Sequence, residues 1–88
     1  MVKNQFMTKK ELKIAKAILT VLHELEGGQI NDLPLHAEVN LVTPCTRTEF
    51  ESALQKCDTA AWITGLHSKF KGRLWNINDA GEAVLGEL

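Results

Sequence analysis

Cysteine occurs only twice in this 88-residue chain, at Cys45 and Cys57, and residues 1–10 contain no apolar core of a secretory leader. A reduced, cytoplasmic protein is therefore expected. Neither cysteine has the close-paired spacing of zinc ligands, and His23, His36 and His67 are scattered, so no metal site is expected. Nothing in the order of residues sets an activating base or an oxyanion hole beside either thiol. Gly27-Gly28 ends a helix pattern rather than opening one with Lys-Ser or Lys-Thr, so no phosphate-cradling loop is present. The chain is expected to be neither an enzyme nor a cofactor carrier. It also lacks any apolar run near the ~18 residues of a membrane span, any internal repeat and any low-complexity tract. Excess charge is missing too: the net charge is -1 and the pI about 6.3. A site for nucleic acid must then be a local patch.

Such patches exist because the charge is unevenly spread. Residues 1–16 carry five Lys and one Glu, whereas 17–58 carry seven acids against Arg47 and Lys56. Residues 59–73 are purely basic in their charged content, through Lys69, Lys71 and Arg73, and 74–88 purely acidic. Segregated solvated faces are an equally ordinary reading of this pattern. With 44% hydrophobic residues the length suits one domain with one modest core.

Thr8-Lys9-Lys10-Glu11 predicts a capping box, with Met7 and Leu12 as its hydrophobic staple. Leu12, Ala15, Ile18, Leu19, Leu22 and Leu25 then recur at helical spacing until Gly27-Gly28, a helix of about four and a half turns. Ile14, Ala17 and Val21 widen its apolar face to about 200°, beyond the stripe that one-sided packing needs. Either this helix is central or it meets a partner, a second copy included. Lys9, Lys10, Lys13 and Lys16 read as its solvated face, or as an arm touching phosphate.

Gln29-Ile30 suits a short strand. Asn31 or Asp32 would cap a second helix over about 33–41, with Pro34 in its first turn and Leu33, Leu35, Ala37, Val39 and Leu41 as its apolar content. After the break at Thr43-Pro44-Cys45, Thr46 and Glu49 form a second capping box. Phe50, Ala53, Leu54, Cys57 and Ala61 share the inward face of this third helix, and Thr48, Ser52, Gln55 and Thr59 the outward one. Trp62-Ile63 and Leu74-Trp75-Asn76-Ile77 read as strands, with Gly65 and Gly72 bracketing a turn-prone basic linker. Trp62 and Trp75 are expected to close the core beneath that hairpin. Asn78 or Asp79 would cap a short last helix. The fold class is α+β, mostly helical.

Ala53-Leu54 in the third helix, Trp62-Ile63 with Gly65, and the sequence Ile77-Asn78-Asp79-Ala80-Gly81 together resemble the winged helix-turn-helix family over nearly the whole chain. Asn78 stands where threonine is usual. The resemblance implies three helices, a β-hairpin wing and a short final helix in a single domain over 1–88, with 1–7 as a flexible N-terminal arm. It implies duplex DNA as partner and a transcription-associated role, with the helix from about 47–60 in the major groove and the 67–73 hairpin as a wing against phosphate or the minor groove. Arg47 becomes the foremost contact to guanine or phosphate, Gln55 a partner for adenine, and Thr48, Ser52 and Thr59 weaker contacts. Lys69, Lys71 and Arg73 supply wing charge, although alternating cations on a hairpin also protect an exposed edge.

Glu49, Glu51 and Asp58 share the third helix with only Arg47 and Lys56, an acidic content that opposes phosphate. Duplex-DNA binding as a dimer is the leading expectation and a protein-interaction module without DNA binding the rival, with homodimer or hetero-partner contact through Ile14 and Val21 of the first helix.

Overall fold

Thr8 and Glu11 start the first helix as their spacing predicts: the Thr8 hydroxyl accepts from the Glu11 amide at 3.1 Å, and the Glu11 carboxylate from the Thr8 amide at 2.9 Å. The computed structural model describes residues 7–88. The expected N-terminal arm lies outside that range apart from Met7, which is buried. Seven elements follow in order: α1 (Lys9–Glu24), β1 (Ile30–Asn31), α2 (Asp32–Val42), α3 (Arg47–Thr59), β2 (Ile63–Ser68), β3 (Gly72–Ile77) and α4 (Asp79–Glu87). The expected mostly helical α+β class with a hairpin and a short last helix is what is found.

α1 is central. It packs against α2, α3, α4 and β3, and Ile14, Ala17 and Val21 are buried by the chain's own elements. The breadth of its apolar face is thus used internally, and Ile14 and Val21 offer no surface for the dimer or hetero-partner contact expected of them. Around α1 the core gathers Leu35 and Val39 of α2, Phe50, Leu54 and Cys57 of α3, and Ile63, Trp75 and Ile77 of the sheet. Trp62, immediately before β2, joins them, so both tryptophans close the core under the hairpin.

β3 is the middle strand of an antiparallel sheet ordered β1-β3-β2. Gly65 pairs with Trp75 in mid-strand instead of bracketing a turn. The indole covers it so closely that an added Cβ would lie 2.6 Å from the ring. The hairpin is also tighter than the expected 67–73 linker, because His67 pairs with Arg73 and Ser68 with Gly72, leaving only 69–71 to turn.

α2 departs from its sequence pattern. Of its apolar residues only Leu35 and Val39 are buried, while Leu33, Ala37 and Leu41 face outward with Val42. Asn31 stands at the N-cap but makes no cap bond; its amide donates to the carbonyls of Lys71 and Arg73 instead. The α2–α3 turn is braced by Asn40, whose side-chain oxygen accepts from the Cys45 amide at 2.8 Å, and by His36. The His36 ring stacks on Phe50 at 4.7 Å and lies with Nε2 3.1 Å from the Cys45 carbonyl.

α3 ends in a Schellman turn: the Ala61 amide donates to the Asp58 carbonyl and the Trp62 amide to the Cys57 carbonyl, with Ala61 at a φ of 62°. Asn78 caps α4 through its side-chain oxygen, which accepts from the Gly81 amide at 2.9 Å, and its amide group donates to the Ala61 carbonyl at 2.8 Å. Gly81 then sits against the Trp62 carbonyl, where any Cβ would come within 2.1 Å of the oxygen. That close approach accounts for glycine at the end of the Ile77–Gly81 pattern.

Candidate nucleic-acid interface

The eight residues singled out on α3 and the hairpin do not form one surface. Arg47, Lys71 and Arg73 come together around a cleft of about 440 Å³ between the starts of α2 and α3 and the hairpin, with Leu33 and Pro34 on its wall. Gln55 borders a smaller cleft of about 120 Å³ on the other side of Arg73, shared with Glu51 and Asp58. Thr48 and Ser52 look toward α1, beside Lys10 and Lys56. Thr59 is exposed near the end of α3, and Lys69 is exposed at the hairpin tip.

Ser52 corrects the expected outward stripe. It is half-buried, and its hydroxyl donates to Glu11 at 2.7 Å. Lys56 donates to both Glu11 oxygens, at 2.9 and 2.8 Å. These partners hold the Glu11 carboxyl down at about 2, with the Lys56 bond the largest cause, followed by the Thr8 amide and the Ser52 hydroxyl. Glu49 is also lowered, first by Lys10 at 2.6 Å and then by the Thr46 amide. Of the α3 acids that oppose phosphate in the sequence, Glu49 is therefore engaged along the α1–α3 seam, where Glu11 of α1 is the acceptor for Ser52 and Lys56.

Arg73 is likewise engaged. Its guanidinium bonds to Asp32, which also accepts from the Trp75 indole, and it lies over the Trp75 ring at 5.3 Å. The expected phosphate contact thus ties β3 to α2. Glu51 completes the cluster: its Oε1 has no hydrogen-bond partner and sits 3.7 Å from Arg73 and 3.9 Å from Arg47. Arg47 keeps half of its side chain exposed at the mouth of the cleft.

No protein-family model matches the chain, and no curated protein matches it. Its fold is similar to that of a transcriptional regulator from Clostridium thermocellum. The TM-score is 0.72 at 14% identity, over 92% of this chain and 82% of that one. A likeness at that identity is one of fold.

Among the described residues no group of three or more His, Cys, Asp or Glu side chains is placed to hold a metal ion, and no helix is long and apolar enough to cross a membrane. Burial pushes the Cys57 thiol up to about 12, with Asp58 adding to it, so this sulfur behaves as core. Sequence reasoning missed Asn31 and Asp32 as clamps on the hairpin. It also passed over Phe70, which stands 96% exposed between Lys69 and Lys71. A large apolar residue between two lysines in an expected turn was the available signal.

Proposed function

We propose that the chain is a winged-helix domain that binds duplex DNA in a transcription-associated role, with α3 entering the major groove and the β2–β3 hairpin acting as the wing. The observation that carries this reading is the meeting of Arg47 with Lys71 across one cleft, which joins the start of α3 to the wing. The fold likeness to a transcriptional regulator supports the same role. Arg47 would read guanine or clasp phosphate with its planar fork. Gln55 would pair with adenine, and Thr48 and Thr59 would add weaker contacts. Lys69 and Lys71 would meet phosphate, while Ser52 and Arg73 hold α3 and the wing in place through Glu11 and Asp32.

Fluorescence anisotropy of a labelled random duplex at several salt concentrations tests the reading. Saturable binding that weakens with salt is expected, and replacing both Lys69 and Lys71 by Ala should flatten the salt slope by about two units. No binding at low salt would refute it.

A second reading, a homodimerising interaction module, is favoured by one observation. Leu33, Leu41 and Val42 of α2 are 63%, 81% and 61% exposed, and Leu33, Ala37 and Leu41 recur every four residues along one stripe. Light scattering on the wild type and Leu41→Asp separates the two readings. A dimer abolished by the substitution, without DNA affinity, would favour the module.

A further inference from the structure

Among the described residues Phe70 is the most exposed large apolar side chain, at 96%, and the chain holds it there. The Ser68 hydroxyl accepts from the amides of Phe70 and Lys71, at 3.3 and 3.2 Å. Gly72 turns the chain back at a φ of 72°, and Asn31 grips the carbonyls of Lys71 and Arg73 just behind the turn. The backbone that presents the phenyl ring is therefore largely ordered before any partner arrives, which lowers the entropy lost on binding.

Charge narrows the choice of partner. Residues 59–78 contain no acid, and Lys69 and Lys71 flank the ring in sequence, both exposed. With Leu66, 52% exposed, as the other exposed large apolar side chain of the hairpin, the tip offers little apolar area for stable membrane attachment or for a protein partner. A ring between two cations matches a polymer that alternates flat apolar faces with anions. In duplex DNA, wedge side chains of this kind enter the minor groove and part a base step while neighbouring cations take the phosphates.

We propose that Phe70 is a wedge that inserts between base pairs from the minor groove of duplex DNA, with Lys69 and Lys71 on the flanking phosphates. This rests on the DNA-binding reading above and adds to it a contact that is apolar and aimed at flexible steps. Pyrimidine–purine steps such as TA unstack most readily, so they are the preferred point of entry.

The test uses the full chain and a duplex carrying 2-aminopurine as the adenine of several TA steps, read by fluorescence for unstacking and by anisotropy for affinity. The wild type is expected to raise the 2-aminopurine signal on binding. Phe70→Ala is expected to lose that rise and to bind about 5- to 100-fold more weakly with an unchanged salt slope, because no charge is removed. Phe70→Trp is expected to retain the rise. Binding by the wild type with Phe70→Ala indistinguishable in affinity and signal would overturn the wedge and leave the DNA-binding reading standing. Weaker binding by Phe70→Ala without any wild-type rise in signal would overturn insertion as well. No binding by the wild type would overturn both readings together.

Discussion

Arg73 and Asp32 join the hairpin to the start of α2, and through the same carboxylate Asp32 also holds the Trp75 indole. One acid therefore ties β3 to the start of α2 at two points, and the arginine covers the indole while it bonds to that acid. The contact joins Asn31, which grips the Lys71 and Arg73 carbonyls, in fastening the hairpin to the start of α2.

Asp32→Ala removes the acceptor for a guanidinium and for an indole at once. Loss of bonds to a charged group costs about 2 kcal/mol. Urea unfolding should show a midpoint lowered accordingly, with a change in native tryptophan emission as the Trp75 ring loses its hold. An unchanged midpoint and spectrum would mean that the clamp contributes nothing.

Two glycines are expected to resist substitution because of space, not backbone conformation. A Cβ at Gly81 would meet the Trp62 carbonyl at 2.1 Å and Ile77 at 2.7 Å, and one at Gly65 would meet the Trp75 ring at 2.6 Å. Gly81→Ala should cost about 3 kcal/mol and Gly65→Ala about 1–2 kcal/mol, since an indole yields more easily than backbone. Thermal unfolding ranks the pair, and the reverse order would contradict the packing described.

Ala61 holds the opposite opportunity. Its φ of 62° is a left-handed conformation that costs a residue with a Cβ about 1 kcal/mol. Ala61→Gly should therefore stabilise the chain by about 0.5 kcal/mol after the added flexibility of the unfolded chain is counted. Chemical denaturation with both variants on one day would resolve a shift of that size, and a lower midpoint would count against the turn.

Acid should weaken the fold through the α1–α3 seam. Glu11 falls from the ordinary 4.5 to about 2 in the folded chain, and Glu49 is also lowered. A carboxyl depressed by folding stabilises above its unfolded value and loses that contribution as pH falls through the folded one. Stability should thus decline from about pH 5 toward pH 2, and Glu11→Gln should make that decline shallower. A slope identical to wild type would remove Glu11 from the acid response.

Glu51 bears on function. Its carboxylate lies near both Arg47 and Arg73 without a hydrogen bond of its own at Oε1. On the DNA-binding reading, Glu51→Gln should strengthen duplex binding about two- to fivefold by removing a charge that competes with phosphate, a modest effect because Arg47 is half solvated. Anisotropy at fixed salt measures it; weaker binding would assign Glu51 a positioning role.

The parts of this protein legible in its sequence are those whose causes lie within a few residues. Both capping boxes close as Thr8 with Glu11 and Thr46 with Glu49 imply, the α1 periodicity is buried from Ala15 to Leu22 while Leu25, past the helix end, is exposed, and the paired strands fall where the tryptophans and β-branched residues stand. The site was less legible. A helical wheel sets Ser52 outward, but Glu11, 41 positions away, draws it into the α1–α3 seam. Alternating charge offers Arg73 to a ligand, but Asp32, also 41 positions away, holds it at the root of the hairpin. Gly65 reads as a turn until Trp75 is laid across it. Sequence by itself determined the helices, the capping boxes at Thr8 and Thr46, and the inward faces of α1 and of α3 as far as Cys57, because propensity and period act locally. Only the tertiary structure decided which polar and charged side chains remain available, because that depends on partners brought together by the packing of α1, α3 and the sheet.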